Sequence, residues 1–279
     1  MRQLALLLFL LSLSVQLLSG CSRGESSPGA SGGVLRMAVT TSTRDSGLLD
    51  ELVPVFERVH GVRVDVIAAG TGKALTLGEN GDVDLILVHA RKAEEAFMAA
   101  GHGVRHEEVM QNTFEVLGPP SDPAGIGGMN ATEALSNIAA GGERFVSRGD
   151  ESGTHQRELV LWRADRERPQ WEGYVENGDG MGATLVMADQ MRAYVLSDRA
   201  TYLKFRTKID LIPLVETSRE LLNPYGVIVV DPAKHERINE RLAQRFVDFL
   251  ISPPAQRMIG EFRIDGEQLF EPLRLPREN

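Results

Sequence analysis

The strongest constraint on the fold is a repeated order of elements between Val34 and Gly101. Short apolar runs typical of buried strands alternate with runs whose apolar residues recur at helical spacing. The strand-like runs are VLRMAV (from Val34), VRVDVIAA (from Val62) and DVDLILV (from Asp82), and each is followed by a helix-like run. This β-α-β-α-β-α order predicts a mostly parallel sheet flanked by helices, which is the α/β class.

The rest of the chain continues the α/β pattern but leaves the first sheet. The segment NTFEVLGPP (Asn112 to Pro120) is extended and ends in two prolines, so we expect the chain to pass into a second α/β region there. A strand predicted from Tyr225 to Pro232 precedes two helices that complete the chain. The sequence therefore predicts two α/β regions.

Three predicted strand-to-helix junctions are rich in hydroxyls and small residues. They are Thr40–Thr43 (TTST), Gly70–Gly72 (GTG) and Arg148–Thr154 (RGDESGT). Such loops lie at the carboxyl edge of an α/β sheet, where ligands of this class bind. Free amides at helix N-termini, neutral hydroxyl donors and one guanidinium favour an anion. The alternative for each junction is that its Ser or Thr only caps the helix that follows.

Other motifs are incomplete. The sequence GTGK from Gly70 lacks the first glycine and the Mg²⁺-binding hydroxyl of a nucleotide-binding P-loop. Ser152, within GDESG, resembles a hydrolase serine, but no partner base can be assigned to it. His102 and His106 have the spacing of metal ligands on a helix, yet the segment between them is predicted as a loop. No metal site is expected.

The charge balance limits the class of ligand. With 30 basic and 39 acidic residues and a net charge of −9, the chain is not expected to bind nucleic acid. Glu94 and Glu95 are predicted to lie on a solvated helix face. Near the junctions, Asp45 is predicted to cap a helix and Asp150 to pair with Arg148. A site of amides, hydroxyls and a basic side chain still attracts a small anion within an acidic protein.

The first 33 residues have the features of an export and anchoring region. One basic residue, Arg2, precedes the apolar run LALLLFLLSLSVQLL, which is typical of a signal peptide over residues 1–20. LSGC matches a bacterial lipobox and predicts lipidation of Cys21, the one cysteine of the chain. Residues 21–33 are predicted to form a lipidated terminus and a flexible linker. We expect a protein of the periplasm or cell surface whose only membrane contact is this lipid.

Several motifs, taken in order, resemble the tungstate-binding proteins of ABC transporters, a branch of the type II periplasmic binding proteins. They are TTSTRDSGLLDELVPVFE, GTGKAL, DVDLILVHARKAEE, FVSRGDESGTH, DRATYL and LLNPYGVIVVDPAKH. The resemblance implies a two-lobed α/β fold with a ligand cleft between the lobes. Lobe 1 is expected at 34–118 plus 225–279, and lobe 2 at 119–224. It also implies a binding protein without a cofactor, not an enzyme.

The resemblance further implies which residues hold the ligand, and Gly182, at another predicted helix start, is expected to line the cleft. The implied ligand-binding residues are Thr40, Thr41, Ser42, Thr71, Arg148, Ser152, Gly153 and Thr154. The run TTST replaces the TTTS common in the family, which leaves open which hydroxyls contact the ligand.

The expected ligand is tungstate, or molybdate with the same charge and shape, delivered to an ABC permease. The residues leave three alternatives open. The first is another tetrahedral oxyanion, such as phosphate or sulfate. The second is a sensor of oxyanion level, and the third is a secreted hydrolase that uses Ser152.

Overall fold

A computed structural model describes residues 33–162 and 169–275. The predicted signal peptide, Cys21 and all of the predicted linker except Gly33 lie outside these residues. Within them every helix is too short or too polar to cross a bilayer. The helices are α1 (Thr41–Ser46), α2 (Leu48–His60), α3 (Thr71–Glu79), α4 (Arg91–Ala99), α5 (Ala131–Ala140), α6 (Gly153–Leu161), α7 (Met181–Met191), α8 (Arg199–Phe205), α9 (Glu240–Leu250) and α10 (Pro253–Glu261).

The strands form one mixed sheet and one small hairpin. The strands of the sheet are β1 (Val34–Thr40), β2 (Arg63–Ala69), β3 (Leu85–Val88), β4 (Gly103–Gly118), β5 (Phe145–Ser147), β6 (Tyr174–Glu176), β7 (Tyr194–Asp198), β8 (Ile212–Pro213), β9 (Leu222–Val230) and β12 (Glu271–Pro272). Their order is β2-β1-β3-β9-β4-β7-β5-β6, with β8 and β12 paired to β4. The hairpin consists of β10 (Arg263–Ile264) and β11 (Glu267–Gln268).

Strand β4 joins two halves of the sheet. It pairs with β9 from Gly103 to Thr113 and with β7 from Phe114 to Leu117. We call β1, β2, β3 and β9 the first half, and β5, β6 and β7 the second half. The pairs β1–β2, β1–β3, β5–β6 and β5–β7 are parallel, as the sequence predicts for an α/β protein. Strands β4 and β9, which the chain uses to pass between halves, are antiparallel to their neighbours.

Helices cover both faces of each half. Along β1, Met37 packs in the core around Phe56, whereas Ala38 packs on the opposite face with Phe97. Successive residues of a strand point to opposite faces, so both faces of β1 are buried. The second half has two cores of its own, one of them around Phe145. Strands buried on both faces leave their ends as the places for polar residues.

The hydroxyl run begins a helix, where the sequence predicted a loop. Thr40 is the N-cap of α1, and Thr41 is its first residue. Gly47 separates α1 from α2 with a φ of 90°, a left-handed conformation that glycine adopts without steric cost. The prediction that Asp45 caps a helix is wrong, since this residue lies inside α1.

Two predictions about α4 and its neighbour are also wrong. Glu94 is 2% exposed, and its carboxylate accepts the amide of Ala90 and contacts Nε2 of His106 at 2.9 Å. The segment that contains His106 belongs to β4 and is not a loop. Glu95 lies in solvent as predicted, paired with Arg91. The burial of Glu94 arises because β4 passes beside α4 and supplies a partner that local sequence does not reveal.

Candidate oxyanion site

The carboxyl ends of three strands meet at one edge of the first half of the sheet. Thr40, the last residue of β1, pairs with Ala69, the last residue of β2, and Val39 pairs with Leu87 of β3. Each of these strands leads into a helix, namely α1, α3 or α4. Three helix N-termini therefore point toward this edge, and their free amides make it electropositive.

A cavity of about 640 Å³ lies between this edge and the second half of the sheet. Its lining combines residues that are distant in sequence but were predicted to share a site. Gly182 is among them, as expected from its position at a helix start. The lining includes Thr41 and Ser42 of α1, Arg148 after β5, Gly180, Met181 and Gly182 at the start of α7, and Thr201 and Lys204 of α8.

The four hydroxyls of the first junction have different roles. Oγ1 of Thr40 accepts the amide of Thr43 at 3.2 Å, so Thr40 is a helix cap. Thr43 is fully buried, and its hydroxyl lies 2.5 Å from that of Thr40. Thr41 and Ser42 line the cavity, and Oγ of Ser42 lies 3.2 Å from Oγ1 of Thr40. The two outer hydroxyls face the cavity and the two inner ones organise the turn.

Thr71 lies close to the edge but does not line the cavity. It is the first residue of α3 and is 4% exposed, and the preceding Gly70 provides no side-chain cap. Its predicted contact with a ligand is therefore not evident from the lining of the cavity. Among the predicted site residues from the first two junctions, Thr41 and Ser42 have the most direct access to the cavity.

Arg148 enters the cavity from the loop after β5. Its guanidinium pairs with Asp150, as the sequence predicted. Within the described residues, the buried Nε of Arg148 has no hydrogen-bond partner. A buried donor without an acceptor costs roughly 1–3 kcal/mol, so Nε marks a place where an acceptor is needed. The loop that carries Arg148 turns at Gly149, which has a φ of 61°.

The Ser152-Gly153-Thr154 segment begins α6 beside the first half of the sheet. Oγ of Ser152 accepts the amide of His155 at 3.3 Å, which makes Ser152 a helix cap. Nδ1 of His155 accepts the amide of Glu151, so these residues are arranged as a cap and not as nucleophile and base. Thr154 is 2% exposed. A Cβ on Gly153 would lie 3.2 Å from Cε1 of His89, so glycine permits this close approach.

His89 is a residue of the site that the sequence motifs do not single out. This residue directly follows β3 and is 8% exposed. Its Nε2 lies 3.3 Å from Oγ of Ser42, its Nδ1 lies 2.9 Å from Oδ1 of Asn223, and its ring stacks on Tyr225. The available signal was its position, because the motif LILVHA places a polar residue at the carboxyl end of a buried strand. Asn223 belongs to β9 and was not singled out either.

The electrostatics of the site favour an anion without a cation. Within residues 33–162 and 169–275, no group of three or more His, Cys, Asp or Glu side chains is placed to hold a metal ion. The cavity instead offers the hydroxyls of Thr41 and Ser42, the start of α7 and Arg148. Hydroxyls, amides and guanidinium groups donate hydrogen bonds, and together they match an oxyanion that only accepts.

Two α/β halves joined by two strands, with donors from both halves around one cavity, define a periplasmic binding protein. A family model described as a PBP superfamily domain matches residues 25–254. The tungstate-binding protein TupA of Peptoclostridium acidaminophilum is 42% identical over 266 residues, which cover 91% of this chain and 93% of that protein. The chain belongs to the PBP superfamily and, within it, to the family of these TupA proteins.

Two solved structures are similar to this chain over nearly their whole length. The tungstate-binding protein TupA from Desulfovibrio alaskensis G20 is 44% identical, with a TM-score of 0.79, over 86% of this chain and 99% of that one. The tungstate ABC transporter protein from Geobacter sulfurreducens is 47% identical, with a TM-score of 0.75, over 82% of this chain and 98% of that one. Both likenesses extend across the two halves of the sheet.

Proposed function

We propose that this chain captures tungstate outside the cytoplasmic membrane and delivers it to an ABC permease, without making or breaking a covalent bond. The observation that carries this proposal is the buried Nε of Arg148, which lacks an acceptor among the described residues and lies in a cavity lined by Thr41 and Ser42. An oxyanion in this cavity supplies that acceptor. The names of the relatives support tungstate as the particular anion.

The binding mechanism that we propose is closure of two lobes, 34–118 plus 225–279 and 119–224. The ligand first meets the amides and hydroxyls at the edge of β1 and β2. Closure then brings Arg148 and the start of α7 against it. Ser152, Gly153 and Thr154, at the start of α6 where Gly153 approaches His89, are proposed to complete the shell of donors around the ligand. The apolar cores around Phe56 and Phe145 support this division, although Ala200 and Leu203 of α8 pack in the first of them.

The acidic residues near the site support a fully deprotonated ligand over hydrogen phosphate. A phosphate that keeps a proton needs an acceptor in its site. Asp150, the acidic residue closest in sequence to Arg148, is occupied by that guanidinium and by the amide of Ser152. Asp45 lines the cavity from α1 and is exposed. We rest the preference for tungstate and molybdate over phosphate on the pairing of Asp150 and on the names of the relatives, since the carboxylate of Asp45 still offers an acceptor at the cavity. Sulfate is distinguished by its smaller size.

Calorimetry of the purified domain against tungstate, molybdate, sulfate and phosphate tests this function. We expect tungstate or molybdate to bind with a dissociation constant well below about 1 μM, and sulfate and phosphate to bind far more weakly. Dissociation constants at or above about 1 μM for all four anions would contradict a transport receptor.

The variant Arg148→Ala tests the placement of the guanidinium. We expect the affinity for tungstate to fall by at least tenfold, or about 1.4 kcal/mol, because a charge-assisted donor is removed from a buried site. Arg144→Ala is the matched control, since Arg144 precedes β5 and donates to the carbonyl of Met191 in an exposed position. A loss of less than about 1 kcal/mol in Arg148→Ala, or an equal loss in the control, would show that Arg148 does not hold the ligand.

We also propose that residues 1–20 are removed on export and that Cys21 is lipidated, with the lipid as the only contact with the membrane. The LSGC sequence and the single cysteine support this proposal. Mass spectrometry of the membrane fraction is the test. We expect an acylated N-terminal peptide that begins at Cys21, and a Cys21→Ala variant recovered without lipid. An unmodified Cys21 peptide from the wild type would contradict the proposal.

A further inference from the structure

A chain of side-chain hydrogen bonds connects the candidate site to the two strands that join the halves of the sheet. Oγ of Ser42 lies 3.3 Å from Nε2 of His89, and Nδ1 of His89 lies 2.9 Å from Oδ1 of Asn223. Nδ2 of Asn223 donates to Oδ1 of Asn112 at 2.8 Å. Asn112 of β4 and Asn223 of β9 are paired in register. His89 is thus the link between the cavity and these strands.

The hydrogen bond to Asn223 determines which ring nitrogen of His89 carries a proton. In the amide orientation of the structure, Oδ1 of Asn223 accepts, so Nδ1 of His89 donates to it. In a neutral imidazole the other nitrogen, Nε2, is then an acceptor, and the hydroxyl of Ser42 gives its single proton to it, while the hydroxyl of Thr40 donates to Oγ of Ser42. Ser42 therefore has no proton to offer to a ligand oxygen while His89 is neutral.

Protonation of His89 reverses the bond with Ser42. An imidazolium donates from both nitrogens, so Nε2 donates to Oγ of Ser42 and the hydroxyl proton becomes free to point into the cavity. A fully deprotonated tetrahedral dianion offers only acceptors and matches this second state. The imidazolium also adds a positive charge next to the site, with its Nε2 lying 3.3 Å from Oγ of Ser42.

The groups around His89 allow its charge to change with the ligand. Burial lowers the pKa of His89, while Asp198, the bond to Asn223 and Glu94 raise the pKa, and Arg148 lowers it. A small cavity of about 130 Å³ beside the ring is also lined by Arg91, Lys92 and Arg157. Without a ligand, burial keeps the ring neutral near pH 7. A bound dianion adds negative charge close by and favours the imidazolium.

We propose that His89 is a positioning residue that binds a proton together with the oxyanion, and so converts Ser42 into a donor to the ligand. The proposal rests on the proposed function, because it requires a dianion in the cavity. It predicts that the affinity for tungstate falls as the pH rises, although tungstate itself does not change its charge. A ligand that brings its own proton, such as hydrogen phosphate, instead meets Ser42 as an acceptor.

Calorimetry with tungstate in two buffers of different ionisation enthalpy, ACES and Tris, counts the protons taken up. At about pH 8 we expect the wild type to take up close to one proton per tungstate, and therefore the affinity to fall up to about tenfold per pH unit through that pH. His89→Asn keeps a donor toward Asn223 but lacks Nε2. We expect this variant to bind tungstate more weakly, with no proton uptake and little dependence on pH.

The control variant is His235→Asn, because Nε2 of His235 bonds the carbonyl of Glu79 and His235 does not line the cavity. We expect His235→Asn to take up protons as the wild type does. Tight binding of tungstate by the wild type with less than about 0.2 proton taken up would overturn the role of His89 and leave the proposed function standing. Weak binding of all four anions would instead overturn the proposed function.

Nitrogen NMR of the histidine rings answers the same question without a variant. Among the six histidines of the chain, we expect one ring to change from the neutral Nδ1–H tautomer to the imidazolium when tungstate is added at about pH 8. Rings that all keep their protonation state on saturation with tungstate would overturn the proposal, even if His89→Asn failed to fold.

Discussion

At the scale of single residues, Gly149 is a position beside the candidate site where backbone geometry and packing both require glycine. It has a φ of 61°, and a Cβ there would lie 2.8 Å from Cβ of Glu176. We expect Gly149→Ala to lower the affinity for tungstate at least fivefold, because the loop that carries Arg148 must shift, and to lower stability by about 1–3 kcal/mol. Calorimetry and urea unfolding measure the two effects.

Gly142→Ala separates the effect of packing at Gly149 from that of the backbone. Gly142 has a similar φ of 66°, but a Cβ there meets nothing within 4 Å. We expect this control to lose about 1 kcal/mol of stability and to keep the wild-type affinity. Equal affinities in the two variants would mean that the turn at Gly149 does not position Arg148.

The buried carboxyl of Glu158 is expected to make the free energy of unfolding depend on pH. This buried carboxyl accepts from Ser147 at 2.7 Å and from Tyr174 at 2.8 Å, and burial is the main reason that its pKa rises to about 7 from its ordinary 4.5. The unfolded chain loses this proton at a lower pH than the folded protein. The contribution of the protonated Glu158 to the free energy of unfolding is therefore fully present below about pH 4.5. It is lost as the pH rises through about 7.

The variant Glu158→Gln removes this titration. Between pH 5 and pH 8, we expect the free energy of unfolding of the wild type to fall by up to about 3 kcal/mol more than that of the variant. Urea unfolding at the two pH values measures both. Parallel pH profiles for the two proteins would mean that Glu158 stays ionised in the folded state throughout this range.

Individual residues were predicted from the sequence where their role is local. Asp150 was correctly paired with Arg148, two residues away, and the caps at Thr40 and Ser152 follow from their places before helices. His89 was not found, since its partner Asn223 is 134 positions away in the chain. A single histidine at the end of a strand carries no spacing pattern, and only the fold gives it partners.

At the scale of elements, the β10–β11 hairpin contacts α8 across the two halves. Glu267 of the hairpin pairs with Arg199 at 2.7 Å and also with Arg206, and Arg199 bonds Glu115 of β4 at 2.9 Å. We expect Glu267→Gln to lower the affinity for tungstate about two- to fivefold, because the variant weakens a contact that holds the halves together. The side chain of Glu267 is 43% exposed, which keeps the effect small.

The dependence of this affinity loss on salt shows whether the ion pairs of Glu267 cause it. At about 0.5 M salt we expect the difference between Glu267→Gln and the wild type to shrink, since partly exposed ion pairs are screened. Glu271→Gln is the control, because its partner Gln111 lies on the neighbouring β4. A loss that persists in high salt, or that appears in the control, would assign the effect to local unfolding of the C-terminal segment.

Helices and strands were predicted well where the hydrophobic pattern and the local residue preferences indicate the same element. The first three strands alternate with helices as expected, because β1 and β3 are buried on both faces, one face of the edge strand β2 packs on the core, and the helices have one apolar side. The helix that starts at Thr41 was missed, since four hydroxyl residues in sequence favour a loop. The cap at Thr40 and the buried hydroxyl of Thr43 stabilise it, and both depend on the end of β1.

At the scale of the whole molecule, the ligand is expected to stabilise the protein by mass action. If the halves hold tungstate between them, a free concentration of 100 times the dissociation constant adds about 2.7 kcal/mol to the free energy of unfolding. For a chain of this size, that corresponds to an increase in Tm of roughly 5–10 °C. Calorimetric scans at increasing tungstate concentration measure it, with Arg148→Ala and sulfate as controls. An increase that is the same for sulfate would indicate a general effect of salt.

The path of the chain through β4 and β9 has a consequence for how this protein diversifies. Thr113 and Leu222 are paired neighbours on adjacent strands, so the whole segment between them leaves and re-enters the rest of the molecule at a single point. That segment carries Arg148, Ser152, Thr154 and Gly182, whereas Thr41, Ser42 and His89 remain outside it. One recombination event at these two strands would exchange one wall of the cavity as an intact cassette. New anion preferences are thus accessible by exchanging this segment between paralogues, provided that Ala200 and Leu203 of the incoming segment still fit the core around Phe56.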